Sequence, residues 1–521
     1  MEKFRNILNK VTEKRTWLFW SGGFLLALAL WFTAIKACIY PALASYSSRL
    51  VFLYCGMTLI FLLFSFGLLA YFIKSEKIKL EKLFLICCTA AGFIYMFLLP
   101  PLTAPDEIAH YATAYKWSNV VMGKKSVDEN GHVYMRKEDA EAPFTHLNTK
   151  ENYKTITDNL FKTCKESESV SFDYKLMDTS PIPYFPQAVG ITLGRTFGLG
   201  WVMTMFLGRL MNLLVFILCG YLAVKWIPFG KMILFTVSML PMTLELISSM
   251  SYDAMTLGLS LLFTAVCFRY AYVKETIGKK EVAVLAVLLG LLAPCKTVYI
   301  LLGGLCLLIP KIKFKTKRFY WMSAVMVLGA AAASLLINNM AALSGYIGTG
   351  ENYISWAGEP GYTAQMLLSD PARFVFLIFN TIREYTGFYI SHMIGYELSW
   401  RNICIGEAPI IAFSFLLFFS CLKTQDDVYM MHSGERGWCI VLCTGTIFLV
   451  ALSMLLGWTP ASYGFIEGIQ GRYFLPVLPL FLLAVRNRKV VIRQNIDKWI
   501  IFASVFLNVL VIQKIVAVSL A

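Results

Sequence analysis

The chain has 521 residues, of which 58% are hydrophobic and only 15% are charged. A soluble protein of this size cannot bury so much apolar surface, so the composition predicts a polytopic membrane protein. The formal net charge is +15, but the basic residues gather in short loops between apolar runs. That placement is typical of cytoplasmic loops and argues against a nucleic-acid-binding surface.

Cysteine usage argues against two further classes of protein. The chain has 13 cysteines, and nearly all of them lie inside apolar runs, without the paired CxxC spacing that holds structural zinc. We interpret them as small packing residues of buried helices. Neither a disulfide scaffold nor a zinc domain is expected.

The apolar runs, taken in chain order, predict the segments that cross the membrane. A basic N-terminal patch precedes a run that starts at Trp17. This run is too long for a signal-peptide core, so it is expected to remain as a first helix with a cytoplasmic N-terminus. The expected spans are 17–36, 51–73, 83–100, 202–224, 231–247, 253–272, 319–337, 408–422, 438–457, 473–486 and 499–519.

Three other apolar segments need a separate interpretation. Segment 281–310 is split at Lys296, and a single crossing would put its two basic flanking loops on opposite sides of the membrane. A hairpin of two short helices that meet at Lys296 is therefore expected. Segments 184–200 and 372–391 are interrupted by charged residues and are expected to be helices at the outer membrane interface.

The predicted fold class is an all-α polytopic membrane protein with about 12–14 transmembrane helices and a long first extracytoplasmic loop. The chain divides into five parts. They are a cytoplasmic tail with three spans (1–100), an outer loop with an acidic motif and an interfacial helix (101–200), central spans (201–337), a second outer loop with an interfacial helix (338–407) and C-terminal spans (408–521).

The most informative motif follows the third expected span. The sequence PPLTAPDEIAHYATAY, residues 100–115, places Asp106, Glu107 and His110 directly after an apolar run. Ionisable groups at the edge of a bilayer are costly, so they indicate a functional site. On a helix His110 shares a face with each of the two acids, which predicts an acid/base cluster. The alternative is a solvated helix start, because acids are favoured at a helix N-terminus.

Three further motifs place polar residues on the same outer side. Asp253 in SSMSYDAMT begins a helix, and it either binds a ligand or caps that helix. Lys296 is expected to bind an anion, because an outward-facing, half-buried lysine is unusual. Arg472, followed by Tyr473 in IQGRYFLP, can hold a phosphate through two N–H groups, although an arginine at this position also suits contact with lipid headgroups.

Several common catalytic motifs are missing from the sequence. It has no GxxxxGK[ST] loop and no GxGxxG after a strand, so a nucleotide-binding fold is unsupported. It also lacks HExxH and GxSxG, which argues against zinc or serine hydrolysis. A carboxylate pair near fixed cations on one face of the membrane instead suits transfer of a group from a lipid phosphate.

Six motifs in a fixed order resemble a known family. They are PDEIAHYATAY, SPIPYFPQAVG, GRLMN at 208–212, SYDAMT, CKTVY and QGRYFLPVLPL. Together they resemble the bacterial membrane-protein family catalogued as domain of unknown function 2142, from about the third span to the penultimate one. That family looks like a branch of the C-type glycosyltransferases (GT-C fold), which are multi-span enzymes that use polyprenyl-phosphate sugars.

The resemblance implies a GT-C-like helical bundle and a catalytic acid in the first long outer loop. In C-type glycosyltransferases this acid often stands beside another acid, and the pair corresponds to Asp106 and Glu107 in this chain. One feature departs from the commonest arrangement, in which the loop follows the first span, because two additional spans precede the loop here.

The residues and the resemblance together predict a membrane glycosyltransferase. It would move a sugar from a polyprenyl-phosphate donor to a cell-envelope glycan or lipid-linked acceptor on the extracytoplasmic face, with inversion of the anomeric centre. Asp106 is expected to be the general base. Glu107 and His110 would orient it, bind the acceptor or, if one is used, hold a divalent cation (Mg²⁺ or Mn²⁺), for which Asp106 and Glu107 are the candidate ligands.

The remaining candidate residues are assigned to substrate binding. Lys296 and Arg472 would stabilise the charge on the leaving phosphate, and Asp253 and Tyr473 would complete the site. Two alternatives stay open: a transporter or flippase of a lipid-linked saccharide, and a structural subunit of an envelope complex. The polar motifs lie at span ends and no internal repeat is visible, which favours the transferase over the transporter.

Overall fold

The computed structural model describes residues 48–74, 79–164, 168–177, 179–347, 352–424, 429–486, 491–492 and 496–520, together with residues 21, 25 and 28. The basic N-terminal patch and most of the first expected span, 17–36, lie outside the described residues. The described part of the chain is mainly helical, as its composition predicts, and its strands are short.

The helices, numbered in chain order, have the following bounds. They are α1 (Ser48–Lys74), α2 (Leu80–Leu98), α3 (Glu107–Val121), α4 (Lys137–Ala140), α5 (Lys150–Asn159), α6 (Phe185–Thr196), α7 (Trp201–Trp226), α8 (Lys231–Ser238), α9 (Pro241–Ile247), α10 (Asp253–Tyr272), α11 (Lys279–Leu292), α12 (Lys317–Ile347), α13 (Ala364–Ser369), α14 (Pro371–Ile394), α15 (Glu407–Ser420), α16 (Ser433–Gly457), α17 (Leu478–Val485) and α18 (Asp497–Leu520). Segments of 3-10 helix occupy Ile182–Tyr184, Thr297–Leu308, Lys311–Lys313 and Gly471–Phe474.

The strands form two-stranded pairs. In antiparallel pairs, β1 (Val133–Arg136) joins β2 (Ser169–Phe172), β3 (Tyr353–Ile354) joins β4 (Glu359–Pro360), and β5 (Glu397–Leu398) joins β6 (Ile403–Cys404). The pair of β7 (Lys423–Thr424) and β8 (Val491–Ile492) is parallel.

Within the described residues, seven helices are long and apolar enough to cross a membrane. They are Cys55–Phe72, Leu80–Leu98, Trp201–Trp226, Asp253–Tyr272, Lys317–Asn338, Ser433–Gly457 and Asp497–Val518. Each of them coincides with a span expected from an apolar run, which confirms the all-α polytopic class. The expected spans 408–422 and 473–486 appear as the shorter helices α15 and α17.

Segment 231–247 differs from its prediction as one span. It is broken into α8, which ends at Ser238, and α9, which begins at Pro241. Proline has no N–H to donate and fits the first position of a helix, so it starts a new helix rather than continuing the old one. The Asn508 side chain of α18 donates a hydrogen bond to the buried Met239 carbonyl between the two helices at 2.9 Å.

The structure shows the hairpin predicted for segment 281–310. α11 and the 3-10 helix Thr297–Leu308 meet at Lys296. Their far ends lie together, because the Ile277 N–H donates to the Lys313 carbonyl at 2.9 Å. The two basic loops therefore lie side by side, as the charge pattern requires.

α7 is packed against α2, α6 and α10. Its contact with α6 depends on small residues, since a Cβ at Gly190 would overlap the backbone of Leu207 and Gly208. Close approach through glycine is a common way for helices to pack in membranes. The tight contact between α6 and α7 holds the first long loop next to the bundle.

The described part of the first long loop forms a small ordered cap. Its α3, β1, β2, α4 and α5 elements carry a separate hydrophobic cluster around Tyr111 and Met135. The Arg136 Nε atom lies 2.7 Å from Asp139 Oδ2, and the Tyr115 hydroxyl donates to the same carboxylate oxygen at 2.7 Å. The buried charges of the cap are thus paired and hydrogen-bonded.

Candidate functional site

Four charged side chains meet where the first long loop joins the bundle. Asp106 precedes α3, Asp253 begins α10, Lys296 lies at the hairpin turn, and Arg472 belongs to the 3-10 helix Gly471–Phe474. We call these four residues the charge cluster. The structure therefore brings together residues from four motifs that are far apart in the sequence.

Arg472 links the two acids of the charge cluster. Its Nη2 atom donates to Asp106 Oδ2 at 3.0 Å, and its Nε atom lies 3.9 Å from Asp253 Oδ2. The preceding residue must be glycine, because a Cβ at Gly471 would overlap the Tyr389 carbonyl oxygen of α14. This close packing against α14 places the guanidinium inside the protein, where only 3% of the side chain is exposed.

Lys296 is the second cation of the charge cluster. Its Nζ atom lies 3.8 Å from Asp253 Oδ1 and 3.6 Å from the centroid of the Tyr473 ring. Such a position above a tyrosine ring is a favourable cation–π contact. The Tyr299 hydroxyl fixes the same loop by donating to the Tyr473 carbonyl at 2.7 Å.

Both cations have N–H donors that no described residue accepts. Lys296 Nζ and the Nε and Nη1 atoms of Arg472 are buried and have no hydrogen-bond partner among the described residues. A lysine has three donors and an arginine five, and unpaired buried donors are costly. The arrangement therefore suits an additional anion with several acceptor oxygens.

Asp106 is the exposed member of the charge cluster. Of its side chain, 42% is exposed, compared with 10% for Asp253. Asp106 has a left-handed backbone with φ of 59°, which is uncommon and strained for a residue other than glycine. Its carboxylate is therefore the part of the charge cluster that is most open to solvent.

Glu107 does not join the charge cluster, in contrast to the expected catalytic pair. It is fully buried and forms a two-pronged ion pair with Arg209, with Nε–Oε1 at 2.8 Å and Nη2–Oε2 at 2.6 Å. Its oxygens also accept the N–H groups of Ala104 at 3.1 Å and Met250 at 2.8 Å. These contacts fill the acceptor positions of Glu107. Glu107 therefore holds in place the turn formed by residues 102–107, which we call the Asp106 turn.

Arg209 completes the support beneath that turn. It donates to the backbone carbonyls of Leu99 at 2.6 Å and Pro100 at 2.8 Å. In the sequence, Arg209 was recognised only as part of the GRLMN motif, and this role was not predicted. The available signal was a single arginine inside a 26-residue apolar helix, a position that is costly without a partner.

His110 lies behind Asp106 and is buried. Its Nδ1 atom is 2.7 Å from the Tyr184 hydroxyl, and its ring meets the Tyr252 ring edge-on at 5.0 Å. Burial lowers the pKa of His110 from 6.5 to about 4, although the nearby Asp106 carboxylate opposes this change. The imidazole is therefore uncharged near neutral pH. Tyr184 and Tyr252 were not predicted, but both belong to motifs quoted above, SPIPYFP and SYDAMT.

The donor groups present do not form a clear site for a divalent cation. Asp106 and Glu107, the candidate metal ligands, are directed to different arginines, Arg472 and Arg209. Across the described residues, no group of three or more histidine, cysteine, aspartate or glutamate side chains is placed to hold a metal ion. Each acid of the charge cluster lies beside a fixed positive side chain instead.

An apolar groove lies next to the 3-10 helix that carries Arg472 and Tyr473. It has a volume of about 340 Å³ and lies between α14 and α16. Ile466, Ile469 and Phe474 also line it, and Phe474 directly follows Tyr473 in the chain. The groove could hold a hydrocarbon chain whose polar end lies near the charge cluster.

Comparison with known families identifies the group to which the chain belongs. The family model described as a predicted membrane protein, domain of unknown function 2142, matches residues 89–481. The chain is a member of this family. The matched region contains the whole charge cluster and the Glu107–Arg209 pair. Comparisons with curated proteins and with solved structures found no match.

Proposed function

We propose that this family member is a membrane glycosyltransferase that takes a sugar from a polyprenyl-phosphate donor. The observation that carries the proposal is the charge cluster itself. Two cations with unfilled donors, Lys296 and Arg472, belong to one cluster, and Arg472 lies beside the exposed Asp106 carboxylate, so one site offers both phosphate-binding groups and a base. The proposal also agrees with the expectation, drawn from the sequence motifs alone, that the family resembles C-type glycosyltransferases.

The charges of the cluster fit a phosphodiester donor. Two carboxylates face two cations, and the neighbouring His110 is uncharged near neutral pH. The donor phosphate would take up the free donors of Lys296 and Arg472, and its negative charge would also draw the Arg472 Nη2 atom away from Asp106. Because it competes with Asp106 for Arg472, binding of the donor would release the Asp106 carboxylate for catalysis.

The chemical step then uses the released carboxylate. An acceptor hydroxyl attacks the anomeric carbon while the bond from that carbon to the phosphate oxygen breaks. The proton of the hydroxyl passes to Asp106, and the electron pair of the broken bond stays on the phosphate, which gains a negative charge. Lys296 and Arg472 stabilise that added charge. Attack from the side opposite the phosphate inverts the anomeric centre.

The apolar groove supplies a place for the donor's lipid chain. An isoprenoid tail lying between α14 and α16 would put its phosphate next to Tyr473 and Arg472. This geometry favours a lipid-linked donor over a soluble nucleotide sugar, which has no hydrocarbon to bury. With the basic loops in the cytoplasm, the charge cluster would face the extracytoplasmic side.

The direct test uses purified full-length protein in nanodiscs. The substrates are a polyprenyl-phosphate hexose with labelled sugar and the glycolipid and glycan fractions of the bacterial envelope. We expect labelled product and free polyprenyl phosphate from the wild type and from the control variant Glu384→Gln, which changes an exposed carboxylate of α14 outside the site. Asp106→Asn should yield neither.

A flippase would give a different result. In proteoliposomes with the labelled donor in one leaflet, it would move the intact donor across the bilayer without releasing polyprenyl phosphate. Lipid movement without any sugar transfer would overturn the proposed activity in favour of transport.

A further inference from the structure

The hairpin formed by β5 and β6 reaches from the second long loop to the segment that precedes Asp106. The Ser399 hydroxyl donates to the Thr103 carbonyl at 2.8 Å. The Ser399 N–H donates to Oε1 of Glu245 in α9 at 2.6 Å. One residue of the hairpin thus ties the Asp106 turn to the bundle.

Both sides of this contact have strained backbones. In the hairpin, Ser399 and Arg401 have φ values of 61° and 62°, and in the turn, Leu102 and Asp106 have values of 75° and 59°. Non-glycine residues keep such conformations only where the surrounding structure holds them. The Ser399 side chain is well placed to hold the turn, because it is buried with 2% exposure.

The hairpin is also fixed to the cap at a second point. The Asn402 side chain donates to the His146 carbonyl at 3.0 Å, and the Trp400 ring stacks on the His146 ring with centroids 4.7 Å apart. The side chains of Leu398 and Ile403, one from each strand of the hairpin, are buried. Two separate contacts with the first long loop make the hairpin a rigid brace.

Glu245 is the anchor of this brace and has no role in the scheme above. It is buried with 1% exposure, and its second oxygen has no hydrogen-bond partner in the part of the chain that the structure describes. A buried carboxyl group is costly, so its hydrogen bond with Ser399 is the evident reason for its position.

We propose that Ser399 and Glu245 are positioning residues that hold the Asp106 turn in its strained conformation. The hairpin fixes Thr103, and the turn from Thr103 to Asp106 then presents the carboxylate to the substrates. The structural part of this inference stands on the contacts alone. Its consequence for catalysis rests on the proposed transferase function.

Hydrogen exchange of the turn tests the structural part without any activity measurement. The N–H groups of Thr103, Ala104 and Glu107 are hydrogen-bonded within the turn. In Ser399→Ala we expect these amides to exchange about three to ten times faster, the effect of losing one buried hydrogen bond. Arg401→Ala, which removes an exposed ion pair of the same hairpin, should leave their exchange unchanged.

Variants of Glu245 provide the matched comparison. Glu245→Gln keeps an acceptor oxygen for the Ser399 N–H and should exchange like the wild type, whereas Glu245→Leu should resemble Ser399→Ala. If Glu245→Leu does not fold, Ser399→Ala still decides the matter. Unchanged exchange at Thr103, Ala104 and Glu107 in Ser399→Ala would show that the hairpin does not hold the Asp106 turn.

Kinetics tests the catalytic consequence separately. Ser399→Ala should lower kcat for sugar transfer about five-fold or more, with the donor KM within about two-fold of wild type, since only the base is misplaced. A change in KM alone would contradict positioning of Asp106. If the wild type transfers no sugar, the proposed function fails, while the exchange result still decides whether the brace exists.

Discussion

Arg472 has a side chain whose geometry suits the proposed phosphate-binding role. Its planar guanidinium reaches Asp106 and Asp253 together and still has donors for a phosphate. A lysine would keep the positive charge but lose the fixed two-pronged geometry. The residue should therefore matter more for donor binding than its charge alone suggests.

We predict that Arg472→Lys raises the donor KM about ten-fold to a hundred-fold, which corresponds to the loss of one or two charged hydrogen bonds. Steady-state kinetics with the labelled donor measures this. Arg383→Lys is the matched control, because Arg383 is an exposed arginine of α14 paired with Glu384. An equal effect of both variants would argue against a specific role of Arg472.

His110 gives a prediction about pH. Since burial lowers its pKa from 6.5 to about 4, the unfolded chain binds a proton between these pH values and the folded chain does not. Stability should therefore fall as pH drops below 6.5, by about 2 kcal/mol at pH 5 from this residue.

The measurement is the unfolding free energy of wild type and His110→Gln at pH 7.5 and pH 5. Glutamine can keep a hydrogen bond to Tyr184 but does not titrate, so the variant should lose part of the acid sensitivity. Part should remain, because burial also lowers the pKa of His392 to about 4. Identical pH dependence of the two proteins would show that His110 is not buried as described.

At the scale of elements, the apolar runs located the long helices well because each run carries its own signal. The break between α8 and α9 was missed, although Pro241 is visible in the sequence, because proline is also tolerated within membrane helices where a neighbour satisfies the freed backbone group, as Asn508 does for the Met239 carbonyl here. Contacts between residues that are far apart in the sequence were not predicted either. Glu107 and Arg209 are 102 positions apart, so nothing local distinguishes Glu107 from its neighbour Asp106.

The Glu107–Arg209 pair should contribute to the free energy of unfolding. Breaking a buried ion pair leaves an uncompensated charge, so Glu107→Leu or Arg209→Met alone should lower the unfolding free energy by about 3–5 kcal/mol. The double variant Glu107→Leu with Arg209→Met should lose less than the sum of the single losses.

Unfolding titrations of the four proteins in detergent measure the coupling. A Glu107→Gln variant with wild-type stability but without transfer activity would contradict the structural role and restore Glu107 as a catalytic acid.

At the scale of the whole molecule, the four charged residues of the cluster could be proposed from sequence because each interrupts an apolar run. Their convergence depends on where the membrane places each span end. The predicted orientation follows only from the basic loops, and it can be tested with a residue that the protein already has.

Cys404 in β6 is exposed, whereas the other free cysteines of the described chain are buried or partly buried. If the second long loop is extracytoplasmic, a membrane-impermeant maleimide should label Cys404 in intact spheroplasts. Cys404→Ser should abolish most of that labelling. Labelling of the wild type only after permeabilisation would show that the topology is the reverse of the predicted one and that the site faces the cytoplasm.

A binding titration of Asp106→Asn measures whether Asp106 and the donor phosphate compete for Arg472. With wild type, Asp106→Asn and Glu384→Gln in nanodiscs, the dissociation constant of the labelled polyprenyl-phosphate hexose and the rate of sugar transfer are measured together. We predict that Asp106→Asn binds the donor at least as tightly as wild type while its transfer rate falls by about a hundred-fold or more, since only the base is lost. Loss of donor binding in Asp106→Asn would rule out the competition, and normal transfer would rule out Asp106 as the base.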